Sequence, residues 1–125
     1  MMVSRVISDS GLKICESGAA IDIRLPWYRS LPLSTVEIGE VRIDGQLVSP
    51  LAMTFEVNNK RYALDQLADK CDEWWYVLDS GLIHIINLKL ERGSQHEVSV
   101  TVGIRPPYIP GFYRLTECTK QLNAE

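Results

Sequence analysis

The stretch EVSVTVGIR at residues 97–105 decides the fold class. Its apolar residues stand at every second position, with polar residues or a glycine between them. Side chains along a β-strand point alternately to the two faces of a sheet, so this pattern predicts a strand with one buried and one solvated face. The apolar positions are Val98, Val100, Val102 and Ile104. The stretch therefore predicts a sheet that packs on a core through one side.

Shorter runs on both sides of this stretch repeat the alternation, and turn residues separate them. The pairs Asp44-Gly45 and Asn58-Asn59 are residue types that tolerate positive φ, and they predict two tight turns. The run 82–90 is apolar on both faces at its start, which predicts a central strand. Further strands are predicted at 21–25, 41–43, 46–48, 53–57 and 113–118.

Helical periodicity is nearly absent from the chain. Residues 64–70 are predicted to form one short helical turn, which is too short to be stable alone. About seven to nine short strands, with turns at regular spacing, are typical of a sandwich. We therefore predict an all-β fold, a single antiparallel β-sandwich domain over residues 1–125 in the size class of immunoglobulin domains.

The composition excludes several classes of partner. The chain has 125 residues, a mass of 14.2 kDa and a formal net charge of −3 at pH 7. Because there is no basic excess to neutralise phosphates, we expect neither nucleic acid nor a membrane as a partner. The three cysteines are widely spaced and odd in number, which predicts reduced thiols in a cytoplasmic protein.

Two segments interrupt the strand pattern. They read LPWYRSLPLS at residues 25–34 and RPPYIPGFYR at residues 105–114, and they hold five of the six prolines. Proline stiffens a loop and lowers the entropy lost on binding, while aromatic and arginine side chains dominate protein interfaces. The segments therefore predict a docking surface. The alternative is that their rings cap the ends of the sandwich core.

The residues that usually carry chemistry are few. His84 lies on an apolar strand, where a structural role is the commoner one, and His96 follows a turn that it is expected to stabilise. No histidine pair has the spacing of a zinc site, and no nucleophile elbow, phosphate loop or dinucleotide fingerprint is present. We expect no catalytic residue, metal or cofactor on this chain.

The run Trp74-Trp75-Tyr76 lies among the acids Asp72, Glu73 and Asp79. Acids beside tryptophans are suited to binding sugars, because the rings stack on CH groups while the acids hold hydroxyls. However, neighbouring aromatics on a strand point to opposite faces, and one of them usually joins the core. From the residues alone, a sugar-binding module and a noncatalytic subunit both remain open.

Several segments resemble one known family in sequence and in order. The most specific is the Leu-Pro-aromatic-Tyr-Arg-x-Leu-Pro-Leu-Ser block at 25–34, and the others are VRIDGQ at 41–46, FEVNNKRYALDQL at 55–67, EWWYVLD at 73–79, HEVSVTVGIR at 96–105 and PYIP at 107–110. Together they resemble the beta subunit of bacterial C-glycoside deglycosidases, the C-deglycosylation enzymes. That family often has Tyr at the position of Trp27 and Gly at the position of Ser30. Both changes are tolerable in a rigid loop, and they are expected to affect the shape of the ligand or the fit of the partner.

The resemblance implies a two-subunit lyase with its chemistry on the other chain. The family's alpha subunit is a TIM barrel that carries the base and a divalent metal, Mn²⁺ or Mg²⁺. Its substrate is a C-glycoside, for example of a flavonoid, whose sugar 3-hydroxyl is already oxidised to a ketone. β-Elimination then yields the aglycone and an unsaturated keto-sugar. The resemblance thus implies a hetero-oligomer, at least αβ, in which this chain is noncatalytic.

Together with the loop composition, the resemblance gives candidate interface or substrate-lining residues. They are Trp27, Tyr28, Arg29, Pro107, Tyr108, Tyr113 and Arg114. Arg29 is the one best suited to reach a phenolate or a carboxylate across the interface. The alternative function is a free-standing β-sandwich that binds carbohydrates or flavonoids without a partner.

Overall fold

The computed structural model describes residues 6–16 and 18–125, and it confirms the all-β fold. Three short 3-10 turns interrupt the strands, and the turn at Leu64–Asp69 is the helical segment predicted from the sequence. The strands are β1 (Ile7–Cys15), β2 (Gly18–Arg24), β3 (Leu31–Pro32), β4 (Val36–Ile43), β5 (Gln46–Leu47), β6 (Met53–Val57), β7 (Lys60–Ala63), β8 (Trp74–Trp75), β9 (Ser80–Ile86), β10 (Gln95–Ile104) and β11 (Arg114–Asn123).

The larger sheet has five antiparallel strands in the order β1-β2-β9-β6-β7. Strand β9 is in its middle, as its apolar sequence predicted. The strand ends at Ile86, although the apolar run continues to residue 90. Asn87 has a φ of 60°, which turns the chain out of the sheet, and Leu88 and Leu90 then pack against the core from outside it.

The smaller sheet has four antiparallel strands in the order β11-β10-β4-β5. Strand β10 runs through its interior and buries every apolar residue of the alternating pattern that predicted it. The last strand is longer than predicted and faces the core through Thr116, Cys118 and Leu122, while Leu115 is exposed. A third, two-stranded sheet pairs β3 with β8.

The two main sheets share one hydrophobic core, to which alternate residues of both contribute. Along one side they are also joined by backbone hydrogen bonds between β1 and the residues after β11. The Ile14 N–H donates to the Glu125 carbonyl at 2.8 Å, and the Glu125 N–H donates to the Leu12 carbonyl at 3.1 Å. This is the sandwich expected from the sequence.

Both predicted tight turns are present. Asp44 and Gly45 have φ values of 53° and 81°, and Asn58 and Asn59 have values of 55° and 62°. Two successive positive φ values suit a two-residue hairpin, because they match the twist of the strands. Within the described residues, no helix is long and apolar enough to cross a bilayer.

Candidate functional site

The two proline-rich segments meet at one end of the sandwich. The first follows β2 and leads into β4, and the second connects β10 to β11. Arg24 pairs with Ser80 in the larger sheet, and Ile104 pairs with Val36 in the smaller one. A hydrogen bond between Trp27 and Tyr108 joins the loops that follow these two strand ends. The fold therefore brings together two loops that are about 80 residues apart in sequence.

Trp27 joins the two segments from beneath the surface. Its side chain is only 7% exposed, and its indole Nε1–H donates to the Tyr108 hydroxyl at 2.5 Å. Its ring lies 4.8 Å from that of Tyr28 and 5.6 Å from that of Phe112, between ring centroids. Trp27 thus caps the core, as the alternative interpretation of the rings expected, and the residues that contact it form the surface.

Arg29 lies between two exposed tyrosines above this tryptophan. The centre of its guanidinium is 5.8 Å from the ring centroid of Tyr28 and 5.6 Å from that of Tyr108. Tyr28 is 61% exposed and Tyr108 is 45% exposed. Cations within about 6 Å of an aromatic face are attracted by its negative potential, so both rings hold the arginine in place.

A second cluster forms around Tyr113 on the same segment. The Arg105 guanidinium lies 4.2 Å from the Tyr113 ring centroid, and the Tyr113 hydroxyl donates to Glu37 Oε2 at 3.1 Å. Desolvation raises the pKa of Tyr113, and its hydrogen bond to the Glu37 carboxylate raises that pKa further. Pro107 and Tyr113 line a groove of about 290 Å³ here, and Arg114 beyond it is exposed.

The structure adds a third segment that the sequence did not assign to this surface. Leu78 is 81% exposed, and Tyr76 is also exposed. The Val77 N–H donates to Ser30 Oγ at 2.9 Å, and Arg24 Nη1 donates to the Leu78 carbonyl, so this turn is fixed beside the first segment. We call the combined surface the aromatic end; its exposed members are Tyr28, Arg29, Tyr76, Leu78, Pro107, Tyr108, Tyr113 and Arg114.

The tryptophan pair divides between core and surface, as alternation along a strand predicted. Trp75 is fully buried, 5.1 Å from Phe55 between ring centroids, whereas Trp74 is partly exposed. Glu73 accepts hydrogen bonds from Asn58 Nδ2 at 2.8 Å and Lys60 Nζ at 2.9 Å, and these contacts lower its pKa, the one from Lys60 most. The acid nearest Trp74 is therefore already engaged within the protein.

The histidines are held by neighbouring side chains. His84 Nε2 lies 2.7 Å from Glu56 Oε1, on the outer face of the larger sheet. His96 Nδ1 lies 2.6 Å from Asp44 Oδ2, and its Nε2 lies 2.7 Å from Ser94 Oγ.

The second arrangement has the spacing of a Ser-His-Asp triad, but the serine is not free to act as a nucleophile. Ser94 Oγ donates its proton to the Glu91 carbonyl at 2.5 Å. His96 therefore ties the Asp44-Gly45 hairpin to the turn before β10, which agrees with the role in a turn expected for it. In the described part of the chain, no three His, Cys, Asp or Glu side chains are grouped to hold a metal ion.

Comparison with known proteins gives a consistent result. A family model of the C-glycoside deglycosidase beta subunit matches residues 2–108. The 3'-dehydrocarminate deglycosidase beta subunit of Microbacterium sp is 41% identical over 110 residues, 88% of this chain and 83% of that protein. C-glycoside deglycosidase beta subunits of Microbacterium trichothecenolyticum and Arthrobacter globiformis are 35% and 30% identical over 109 residues, 87% of this chain and 82% and 83% of those proteins.

Proposed function

The chain belongs to the C-glycoside deglycosidase beta subunit family, and from that premise we propose that it is the noncatalytic subunit of a carbon–carbon lyase. A beta subunit acts with a partner subunit, and we propose that the partner is a TIM barrel that carries the general base and a Mn²⁺ or Mg²⁺ ion. In the described residues of this chain, no three His, Cys, Asp or Glu side chains are grouped to hold such an ion.

The proposed reaction is a β-elimination on a 3-oxo C-glycoside, for example of a flavonoid. The ketone at C3 acidifies the proton at C2, and a base on the partner removes that proton. The electron pair left at C2 forms the C1–C2 double bond as the bond between C1 and the aglycone carbon breaks. The aglycone leaves with the electrons of that bond and takes up a proton, and the sugar becomes an unsaturated ketone.

We propose that the aromatic end packs on the partner, beside its active site. The active sites of TIM barrels are built from loops at one face, which a small rigid subunit is able to complete. Exposed tyrosines and arginines on proline-stiffened loops are the side chains that dominate interfaces. The observation that carries the proposal is the match to this family over most of the chain. The exposed tyrosine rings of the two proline-rich segments lie together at one end of the sandwich, which is the surface that we expect to meet the partner.

The assembly and the turnover of one double variant test the proposal. In the co-expressed complex, Tyr28→Ala with Arg29→Ala is expected to weaken assembly, measured by size-exclusion chromatography, and to slow aglycone release in proportion. The control is Leu51→Ala at the opposite end of the sandwich, since Leu51 is 95% exposed and its loss leaves the aromatic end intact. Unchanged assembly and turnover in the double variant would contradict the docking role.

The isolated chain tests the alternative function of a free-standing binding module. The partly exposed Trp74 and exposed Tyr76 are the rings that favour this alternative, because they are able to stack on a sugar. A stable monomer that binds a flavonoid C-glycoside in calorimetry without any partner would support it. We expect no such binding, and we expect the isolated chain to associate with itself until the partner covers the aromatic end.

A further inference from the structure

Arg29 has no acidic partner in the described part of the chain, unlike Arg42, Arg61 and Arg105. Arg24, Arg92 and Arg114 have none there either, and Arg29 is the one of these four that is held between two tyrosine rings. Arg42 pairs with Glu40 at 2.8 Å, Arg61 with Glu56 at 3.7 Å and Arg105 with Glu37 at 3.7 Å. Among the side chains that the structure describes, residues 6–8, 11–16 and 18–125, no carboxylate lies within ion-pair distance of Arg29, and its guanidinium contacts the two tyrosine rings. Ring contacts use the faces of the guanidinium and leave its N–H edge available for hydrogen bonds.

The two rings that hold Arg29 are themselves fixed. Tyr108 accepts a hydrogen bond from the buried Trp27, and Tyr28 packs on the same indole. The prolines on either side, Pro26 and Pro107, restrict the backbone of both segments. A guanidinium that is ordered before binding loses less entropy when it forms hydrogen bonds, so it binds more tightly than a free surface arginine.

We propose that Arg29, Tyr28 and Tyr108 form a carboxylate-binding clamp that receives an Asp or Glu side chain of the partner subunit. The inference rests on the proposed function, because it requires a partner at the aromatic end. The planar N–H edge of a guanidinium matches the two oxygens of a carboxylate, so the contact forms two parallel charge-assisted hydrogen bonds. Docking also removes water from around the pair, which strengthens its attraction.

The surroundings of Arg29 favour an acid on a protein over an anionic group of the substrate. Small molecules bind in concave sites that enclose most of their surface. The groove at this end is lined by residues 105–107 and 109–113. It is not lined by Arg29, and the two tyrosines that contact Arg29 are about half exposed. An exposed cation among rings fits a protein surface that presents an acid within an apolar patch.

Charge complementarity supports the same occupant. The chain as a whole is acidic, with a formal net charge of −3. At the aromatic end and in contact with it lie the exposed arginines Arg24, Arg29, Arg105 and Arg114, which outnumber the acids described there, Glu37 and Asp79. Complementary charges steer association and fix the orientation of the complex, and their effect weakens as salt screens them. The affinity between the subunits is therefore expected to fall as NaCl rises, and Arg29 is expected to account for part of that fall.

The test compares Arg29→Ala and Arg29→Lys with Arg92→Ala in complexes with the native catalytic subunit. Arg92 is an exposed arginine at the opposite end of the sandwich, so its loss changes the net charge equally without touching the clamp. The measurements are the dissociation constant between subunits at low and high NaCl, and the kcat and KM of the saturated complex. We expect Arg29→Ala to weaken assembly by about 10- to 100-fold with a flatter salt dependence. Arg29→Lys should recover part of the loss, and Arg92→Ala should match the wild type.

The other outcomes of these measurements test the clamp and the proposed function separately. Unchanged affinity in Arg29→Ala, while the wild-type subunits assemble, would overturn the clamp and leave the proposed function standing. Unchanged affinity with a KM raised for aglycones that carry a carboxylate would assign the clamp to substrate and also overturn the inference. If the wild-type chain binds no catalytic subunit at all, the proposed function itself fails. Rescue of Arg29→Glu by a single Asp→Arg or Glu→Arg change on the partner would identify the acid.

Discussion

At the scale of single residues, Trp27 shows how a loop residue becomes part of the core. It lies in a segment with no strand alternation, so nothing in its neighbours along the chain indicates which way it points. Trp27 is buried because Tyr108 and Phe112, which belong to the segment 105–114 far along the chain, pack against its ring. The sequence therefore identified Trp27 as important but could not separate a ring that anchors the surface from the rings that form it.

Gly81 is a residue that the core requires to be small. A Cβ added there would lie 2.4 Å from Phe55 Cζ and 3.1 Å from Trp75 Cζ2, in the middle of a buried ring pair. We expect Gly81→Ala to destabilise the fold by about 1–3 kcal/mol, because neither ring has free space to move into. Urea unfolding measures the effect, with Ser80→Ala on the same strand as the control. Equal midpoints for the two variants would show that the rings rearrange without cost.

The carboxyl group of Asp44 is expected to make the stability of the fold depend on pH in the acid range. The side-chain hydrogen bond with His96, and next the Glu97 N–H, hold the pKa of Asp44 below its ordinary value of 3.8. A carboxyl whose pKa is lower in the folded state stabilises the fold above its unfolded pKa, and this contribution is lost as the pH falls through the folded pKa. In Asp44→Asn the contribution is missing at every pH.

The difference in unfolding free energy between wild type and Asp44→Asn should thus shrink as the pH falls from about 5 toward 3. Chemical denaturation at a series of pH values measures it. Asp65→Asn, which changes an exposed carboxylate in the 3-10 turn, serves as the comparison. A difference that stays level down to pH 3 would show that the contact with His96 contributes nothing to folding.

At the scale of elements, the hairpin between β6 and β7 contains two asparagines with different roles. Both have positive φ, but the Asn58 side chain also donates to Glu73 Oε2 at 2.8 Å and to the Trp74 carbonyl at 2.7 Å. Asn59→Gly should stabilise the fold by a few tenths of a kcal/mol, because glycine adopts this backbone without strain. Asn58→Gly should destabilise it by about 1–3 kcal/mol through loss of the two bonds. Thermal unfolding of the pair tests this, and an equal effect of both changes would refute the distinction.

The elements that alternation could define were predictable, and those that depend on long-range packing were not. β10 and both hairpin turns follow from local pattern and from the backbone that Asp-Gly and Asn-Asn favour. The inward face of β11 was not evident, because its core positions are occupied by Thr116 and Cys118 while Leu115 lies outside. In that strand the register with β10 decides burial, and hydrophobicity alone indicates the wrong side.

The candidate site was predictable to a similar extent. The composition of the two proline-rich segments indicated a common surface, and the fold brings them to one end. Tyr76 and Leu78 were not assigned to it, because their place depends on the bond between Val77 and Ser30 across 47 residues of chain. The sequence did contain one local signal for Tyr76. Because side chains alternate along a strand, an inward-facing Trp75 places the next residue, Tyr76, on the outer side.

At the scale of the whole molecule, the stability of the chain is expected to depend on its partner. A partner that binds only the folded chain adds about 2.7 kcal/mol when its concentration is 100 times Kd. For a chain of this size we expect the Tm to rise by about 10 °C. Differential scanning fluorimetry with increasing amounts of the partner subunit measures the shift.

The variant Tyr28→Ala with Arg29→Ala should lose most of this thermal shift, while Leu51→Ala keeps it, because only the first lies at the aromatic end. If the Tm of wild-type chain does not move with saturating partner, the two proteins do not form a complex.

The way the sheet edges are finished limits how this molecule joins others. On one side two backbone hydrogen bonds join Leu12 and Ile14 of β1 to Glu125, which follows β11. On the other side the outermost strands are β7 and β5, of four and two residues, and β7 carries Lys60 and Arg61. Edge strands that are very short, or that carry positively charged side chains, are poor templates for pairing with a strand of another molecule. On the side of β7 and β5 the architecture thus discourages continuous intermolecular sheets and fibril growth, and it leaves recognition there to side chains presented by loops.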